Sequence, residues 1–411
     1  MDFSESELIK HKRSLRLLEQ YAARRVYKGY DPYDVLMGKI PFAKLGKWPP
    51  ILAIQLFKRN PLNFRRLIGV PKSLNPKALG LFLNGYSIHP ARDRNAEKAK
   101  RLFDLLIENQ SPGEKGMAWG YPFPWASPKK FLPAGSPTAV VTGFVVQGID
   151  AYYRAFSDER ALDAMRKACA FIDQSLYHTS EDDIYAISYS TAEPDFCYNA
   201  SLLAAEVYAR TSAHTGESLL AEKAKKALNA VIQRQKSDGS WNYSEDLETG
   251  KQRVQIDFHQ GFVIDSIMAI GEALNYYPEH VERALQDGFE FYRDNQFDAA
   301  GRSKWRLPGE YPADIHHQAQ GIITASRYYR FCGSSRAAEL AKRVSNYTLA
   351  NFQDRRGYFY YRKHRYFTDR TSYMRWGNAW MFLALSEIVK SAELREQSSK
   401  ATFTNEHIIT N

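Results

Sequence analysis

With 411 residues, 44% of them hydrophobic and 25% charged, the chain has the composition of a soluble globular protein with ample material for a large core. No run reaches the length of a membrane span, and the opening MDFSESELIKHKR lacks the apolar segment of a secretory leader, so a cytoplasmic protein is expected. A net charge of +10 draws polyanions such as nucleic acid, anionic lipid or acidic polysaccharide; without an RNP, zinc-finger or helix-turn-helix signature, no nucleic-acid partner is expected.

In chain order, the first stretch (1–74) reads as a basic helical segment. KHKRSLRLLEQYAARRVYKGY and KRNPLNFRR carry much of the surplus charge and leave peripheral contact with a membrane or an assembly complex open. From residue 75 to 395 the chain repeats with a period of roughly sixty residues. Apolar, small-residue-rich helices begin near Pro76, Pro137, Tyr198, Asp257, Asp314 and Ser372. Five are followed or preceded by charged amphipathic helices such as DERALDAMRKACAFIDQSL and PEHVERALQDGFEFYRDNQ, whose apolar residues recur at three and four. TAVVTGFVVQGIDAYY and GFVIDSIMAIGEAL are apolar nearly all round and should be buried on both sides. Six buried helices ringed by amphipathic ones describe an all-α (α/α)6 toroid, its sixth outer helix supplied by the N-terminal hundred residues, from 4–27. Residues 396–411 are expected to form a disordered tail.

Turns from buried to amphipathic helices are short, whereas the returns are long and must all lie on one face, because the helices alternate in direction. Function concentrates on long loops over a rigid scaffold. The leading ends of the buried helices open on that same face, where unpaired N–H groups favour anions. The outer helices end in Gln, then Gly and an aromatic (QKSDGSWNY, QFDAAGRSKW, QDRRGYFYY), which reads as turn architecture.

The rim carries the chemistry. IDFHQGF places Asp257, His259 and Gln260 at one leading end; ADIHHQAQG repeats this with Asp314, His316, His317 and Gln318. Asp at such a position commonly caps the helix, but capping asks nothing of a histidine, and a neutral imidazole beside a carboxylate can serve as a general base. FCYNASLL adds Asn199, WGYPFPW adds Trp119, Tyr121 and Trp125, and SYMRWGNAW adds Tyr373, Arg375, Trp376, Asn378 and Trp380. The catalytic candidates are therefore Asp257, His259, Asp314, His316 and Tyr373. Arg375 suits a substrate carboxylate, and the indoles suit a sugar ring. No HExxH or CxxC occurs, the three cysteines (Cys169, Cys197, Cys332) lack metal spacing, and neither metal nor cofactor is expected.

The Q…DGSW turns resemble those of terpenoid-cyclase and prenyltransferase toroids, without the DxDD acid of the former or the zinc triad of the latter. Across nearly the whole chain, YKGYDPYDVL, NPLNFRRLIGVPK, NPKALGLFLNGY, WGYPFPW, SPTAVVTGF, DFHQGF, DIHHQAQ and MRWGNAWM are similar to bacterial polysaccharide-biosynthesis proteins of the VpsJ type, departing at Val35 (Gly in those relatives) and Gln260 (Thr). That resemblance implies an exopolysaccharide or capsule context and no settled reaction. Two chemistries fit the rim. One is C5 proton abstraction from a uronic-acid-bearing glycan or precursor, with His259 and Tyr373 as base and acid and with Arg375 and Asn199 on the carboxylate. The other is glycoside hydrolysis by Asp257 and Asp314. The alternatives are a non-catalytic component that binds a glycan or lipid-linked precursor and, third, terpenoid chemistry.

Overall fold

The computed structural model describes residues 1, 3–128, 130–181 and 184–409, the side chains of 181 and 396–409 excepted; the side chains of the tail expected to be disordered lie outside the described residues. Among the described residues thirteen α-helices carry the fold, and the strands are two to four residues long. α1 (Glu5–Ala23) and α2 (Trp48–Arg59) precede the repeats. The inner helices are α3 (Pro76–Ile88), α5 (Ala139–Phe156), α7 (Tyr198–Thr215), α9 (His259–Leu274), α11 (Ile315–Cys332) and α13 (Trp380–Ile409). They touch in sequence, and α13 returns to α3, closing a ring. The outer helices α4 (Ala96–Glu108), α6 (Glu159–Ser175), α8 (Ser218–Ile232), α10 (Glu279–Asn295) and α12 (Ser335–Phe352) each pack on the inner helix before them. The fold is an (α/α)6 toroid. Its core is one continuous apolar cluster.

The sixth outer position is filled from the other end of the chain. α1 packs on α13, and it is pinned to α12 by a hydrogen bond from Asn346 to Glu7, a Lys342–Glu7 ion pair at 2.9 Å and a His11–Ser345 contact at 3.0 Å. A boundary at residue 74 therefore cuts through the ring. The turn glycines show the equivalence: a Cβ on Gly239 would lie 2.4 Å from the Asp287 carbonyl oxygen on α10, and one on Gly357 would lie 2.3 Å from that of Leu17 on α1. Both have positive φ, so backbone meets backbone where only glycine fits.

The aromatic after each glycine closes the hairpin. Trp119 donates its indole N–H to the Leu106 carbonyl on α4, and Trp241 donates to Val231 on α8, each satisfying a carbonyl near the end of an outer helix. A polar side chain early in the next inner helix then grips the backbone of that turn. Thr142 accepts from Trp119 N–H, and Ser201 from Ile187 N–H. Gln260 both accepts from Trp241 N–H at 2.9 Å and donates to its carbonyl at 2.7 Å. Gln318 accepts from Ser303 N–H and donates to the Gly301 carbonyl, and Asn378 accepts from Phe359 N–H. The sixth inner helix starts differently: Met374–Ala379 form a π-turn in which the Tyr373 carbonyl accepts from both Gly377 and Asn378.

The long returns carry small antiparallel sheets. β1 (Trp125–Ala126) pairs with β2 (Phe131–Leu132), and β3 (His178–Glu181) with β4 (Ile184–Ile187). β5 (Phe196–Cys197), β6 (Ser244–Glu245) and β7 (Gln252–Arg253) form one three-stranded ladder. A second ladder joins β8 (Ala313–Asp314) to β9 (Arg362–Lys363) and β9 to β10 (Thr368–Asp369), setting Arg362 opposite Asp314.

Alanine at Gly239 must fit a Cβ where a carbonyl oxygen already stands, whereas Gly333, with φ of +71° and open space around it, faces only backbone strain. Urea unfolding should show Gly333→Ala costing about 1 kcal/mol and Gly239→Ala clearly more, beyond about 2 kcal/mol.

Candidate functional site

The leading ends of the inner helices converge on a funnel whose floor is aromatic. Phe262 stacks on Trp380 (centroids 5.4 Å apart), and Phe144 meets both edge-on at 5.0–5.1 Å. Lys77, on the first turn of α3, lies over Phe144 at 4.0 Å and near Trp380 at 5.3 Å. It is 3% exposed, and its side-chain amine makes no hydrogen bond or ion pair to any described residue. Burial, reinforced by the Arg375 charge, pushes its amine well below the ordinary lysine range.

The two Asp-x-His copies lie together here but have diverged. Both aspartates cap: Asp257 accepts from the backbone N–H of His259 and Asp314 from that of His316. Beyond that, Asp257 binds the His259 Nδ1 at 2.5 Å, with Gln255 donating to its other oxygen. Burial would raise this carboxyl, but the His259 imidazole and backbone bring it down to about 2. The carboxylate therefore fixes the His259 ring with Nδ1 engaged, and Nε2 makes no hydrogen bond to a described residue. His259 keeps part of its surface open, stacked on Phe258 and edge-on to Tyr243. Asp314 has no such histidine partner. Its oxygens take the Trp376 indole N–H at 2.8 Å and the Arg362 guanidinium at 2.7 Å.

His316 sits within an aromatic cage. It stacks on Phe258 (4.5 Å) and Trp380 (4.5 Å) and meets Trp376 edge-on (4.6 Å). It is buried, neither ring nitrogen has a hydrogen-bond partner in the protein, and burial followed by the Lys77 charge holds it well below the ordinary histidine range. His317 points the other way. Its Nδ1 meets the Lys304 carbonyl at 3.0 Å, its Nε2 is unpartnered, and burial lowers it to about 4. The Trp380 indole N–H, the Tyr361 hydroxyl and one Arg362 nitrogen are likewise buried without protein partners. Such groups cost about 1–3 kcal/mol each when left unmatched, and the stacked His316 and Trp380 rings, both unpartnered, mark a place where a polar ligand would be matched.

The walls are phenolic. Tyr121, Tyr189 and Tyr243 keep part of their surface open, while desolvation raises each phenol. Trp125 stands partly open on β1.

Several rim candidates have other work. Arg375 is clamped by both oxygens of Asp31, at 2.6 and 2.7 Å, so it is not free for a substrate carboxylate. Tyr373 is buried and accepts a hydrogen bond from Arg65, which is itself paired with Asp34 at 2.6 Å. That leaves its phenol enclosed rather than facing the funnel as an acid. Gln260, Gln318 and Asn378 hold turn backbone, and Trp119 is sealed in the core. Asn199 is buried and accepts from the Cys197 thiol at 3.2 Å. Asp314 is a fully engaged cap. For Arg375, Tyr373, Asn378 and Asp314 the partners come from residues 31–34, 65 and 359–362, which reach the rim only in the folded ring. What the sequence did not reveal was Lys77, Phe258, Tyr189, Tyr243 and the Asp31 clamp. Only Lys77 left a trace, as a lone cation early in the apolar run NPKALGLFLNGY.

No family model and no curated relative matches the sequence. Solved structures do match in shape. A cellobiose 2-epimerase from Bacillus thermoamylovorans aligns with a TM-score of 0.60 at 13% identity, over 78% of this chain and 90% of its own. The GH76 α-mannanase BT2949 from Bacteroides thetaiotaomicron gives 0.61 at 13% over 78% and 87%. An unsaturated glucuronyl hydrolase specific for heparin gives 0.62 at 12% over 96% and 99%. What they share with this chain is the six-hairpin toroid.

A buried lysine without an anion is retained against stability. Lys77→Met should raise the unfolding free energy measured in urea by about 1–3 kcal/mol, since an apolar chain of similar volume removes the desolvated amine; a lower value would give Lys77 a structural role. The unfolded chain protonates His317 near 6.5, whereas the folded chain resists until about 4. Its contribution is therefore intact above 6.5 and is lost as pH falls toward 4, by roughly 3 kcal/mol. Denaturation across that window should show the fall, and His317→Gln should make it shallower, with His316, likewise held below its ordinary range, supplying part of what remains.

Proposed function

We propose that the protein is a carbohydrate-active enzyme that moves a proton at a sugar carbon adjacent to a carbonyl or carboxylate group. Its substrate is a uronic-acid-bearing glycan or glycan precursor, and its setting is exopolysaccharide or capsule biosynthesis. One observation carries this reading: His259, oriented by Asp257 and open at Nε2, shares the Phe258 ring with the unpartnered His316, above the unpaired Lys77. A histidine held in one tautomer by a carboxylate is fit to take a proton. His259, cationic once it has taken the proton, can return it, and the neutral His316 can hydrogen-bond the substrate oxygen that gains charge. The Lys77 ammonium faces the negative charge that develops on the substrate oxygen, or neutralises a uronyl carboxylate, the task first assigned to Arg375. The phenols of Tyr121, Tyr189 and Tyr243 offer sugar hydroxyls their hydrogen bonds. Among proteins of this shape, epimerases and a glucuronyl hydrolase support a glycan substrate, and the VpsJ-type motifs support the biosynthetic setting. Hydrolysis by Asp257 and Asp314 finds less support, because the histidine, guanidinium and indole partners of both carboxylates leave neither free to protonate a glycosidic oxygen.

Incubation in D2O with uronate-containing oligosaccharides and with reducing sugars, read by NMR, tests the reading. Deuterium should enter at uronyl C5, and His259→Ala should lower the rate by a factor of about 100 or more. Entry at C2 of a reducing sugar instead would move the substrate class. Ligand-induced stabilisation without any exchange would make the protein a binding component and sink the enzymatic reading.

A further inference from the structure

Between Asp34 and Asp93 the chain has no acidic residue and ten lysines or arginines. The same stretch is the most apolar part of the described surface: among the described residues, eight of the eighteen exposed large hydrophobic residues fall within 40–67. Leu45, Trp48, Leu52, Leu56 and Leu62 are each about 60% exposed, and Leu67 is 80% exposed. α2 explains the pattern. Ile51 and Ile54 bury one of its faces in a small cluster of their own with Val35 and Ala126, apart from the toroid core. Trp48, Leu52 and Leu56, spaced by four, form a second apolar stripe turned outward. Leu52 and Leu56 of that stripe line a groove of about 660 Å³ with Phe42, Leu45 and Pro49. Arg59 lines it too, and Lys39, Lys44, Lys47 and Arg66 stand in the same segment, all five exposed and none paired with an acid among the described residues. A helix apolar on both faces and ringed by unpaired cations has a partner that is apolar within and anionic at its surface. No helix among the described residues is long and apolar enough to cross a membrane, so such a partner would be met at its surface.

From this we infer that α2 and its flanking loops dock the protein on an anionic phospholipid surface, with Trp48, Leu52 and Leu56 entering the headgroup region and the lysines meeting lipid phosphates. The docking element stands on the rim of the funnel. Lys58 of α2 donates to the Tyr33 hydroxyl, and Tyr33 packs on Trp376, which lies against His316. The mouth would therefore open close to the headgroups, where a lipid-linked sugar is presented. The docking itself does not depend on the proposed proton transfer.

Co-sedimentation of the full chain with vesicles tests this. The protein should pellet with phosphatidylcholine–phosphatidylglycerol vesicles, remain in solution with phosphatidylcholine alone, and be released by salt. Leu52→Glu with Leu56→Glu should weaken binding at least about tenfold, and Lys44→Glu with Lys47→Glu should weaken it about fivefold per residue. All these side chains are exposed, so far-UV circular dichroism and the thermal midpoint should not change. Three outcomes would overturn the proposal: no binding to the anionic vesicles at low salt, equal binding by the leucine variant, or a dimer in light scattering that the leucine variant dissolves. In the last case a second copy of the chain covers the patch.

Discussion

The structure depends on a small recurring contact: a polar side chain early in an inner helix hydrogen-bonded to the backbone of the turn that precedes it. Thr142, Ser201, Gln260, Gln318 and Asn378 all make it. Each bond ties the end of one hairpin to the start of the next, and it buries backbone N–H groups that water could no longer satisfy. These rim positions are thereby committed to holding the ring. The residues left for chemistry are their neighbours, and this is why His259 faces the opening while Gln260, one residue on, does not.

The floor of the funnel runs against the economy of the rest. Elsewhere among the described residues, buried ions are mostly paired: Arg375 with Asp31, Arg65 with Asp34, Arg362 with Asp314, and farther along the inner helices Arg327 with Asp265 and Glu387. Lys77 and His316 share the same depth without such partners. A fold that pairs its buried charges so consistently has the means to pair these two, and leaving them unmatched destabilises it. Groups held that way are suited to a ligand, because binding then supplies the hydrogen bonds the protein withholds.

The stretch between α1 and α3 joins the two themes. Through Asp31, Tyr33 and Arg65 it docks on the π-turn of the sixth inner helix and turns Arg375 and Tyr373 into structural residues. It also carries the apolar, basic surface of α2. One segment therefore completes the rim of the funnel and presents the most lipid-like face of the molecule beside it.

Much of the architecture was legible in the sequence because its signals are local. A period of sixty residues, all-round apolar helices alternating with amphipathic ones, and Gly-aromatic turns all follow from burial and backbone geometry within a few residues of each position. The identity of the rim was legible for the same reason, since helix starts announce themselves by their caps. The work of each rim residue was not. Two copies of Asp-x-His look alike in sequence, and the distinction between them comes from Arg362, opposite Asp314 across a strand pair, and from an indole 62 residues away. Arg375 invited a substrate until Asp31, 344 residues earlier, occupied both arms of its guanidinium. Composition and spacing determine which elements form and which side they bury; only closure of the ring decides which polar group finds a partner, because hydrogen bonds and ion pairs depend on ångström distances that sequence separation does not encode.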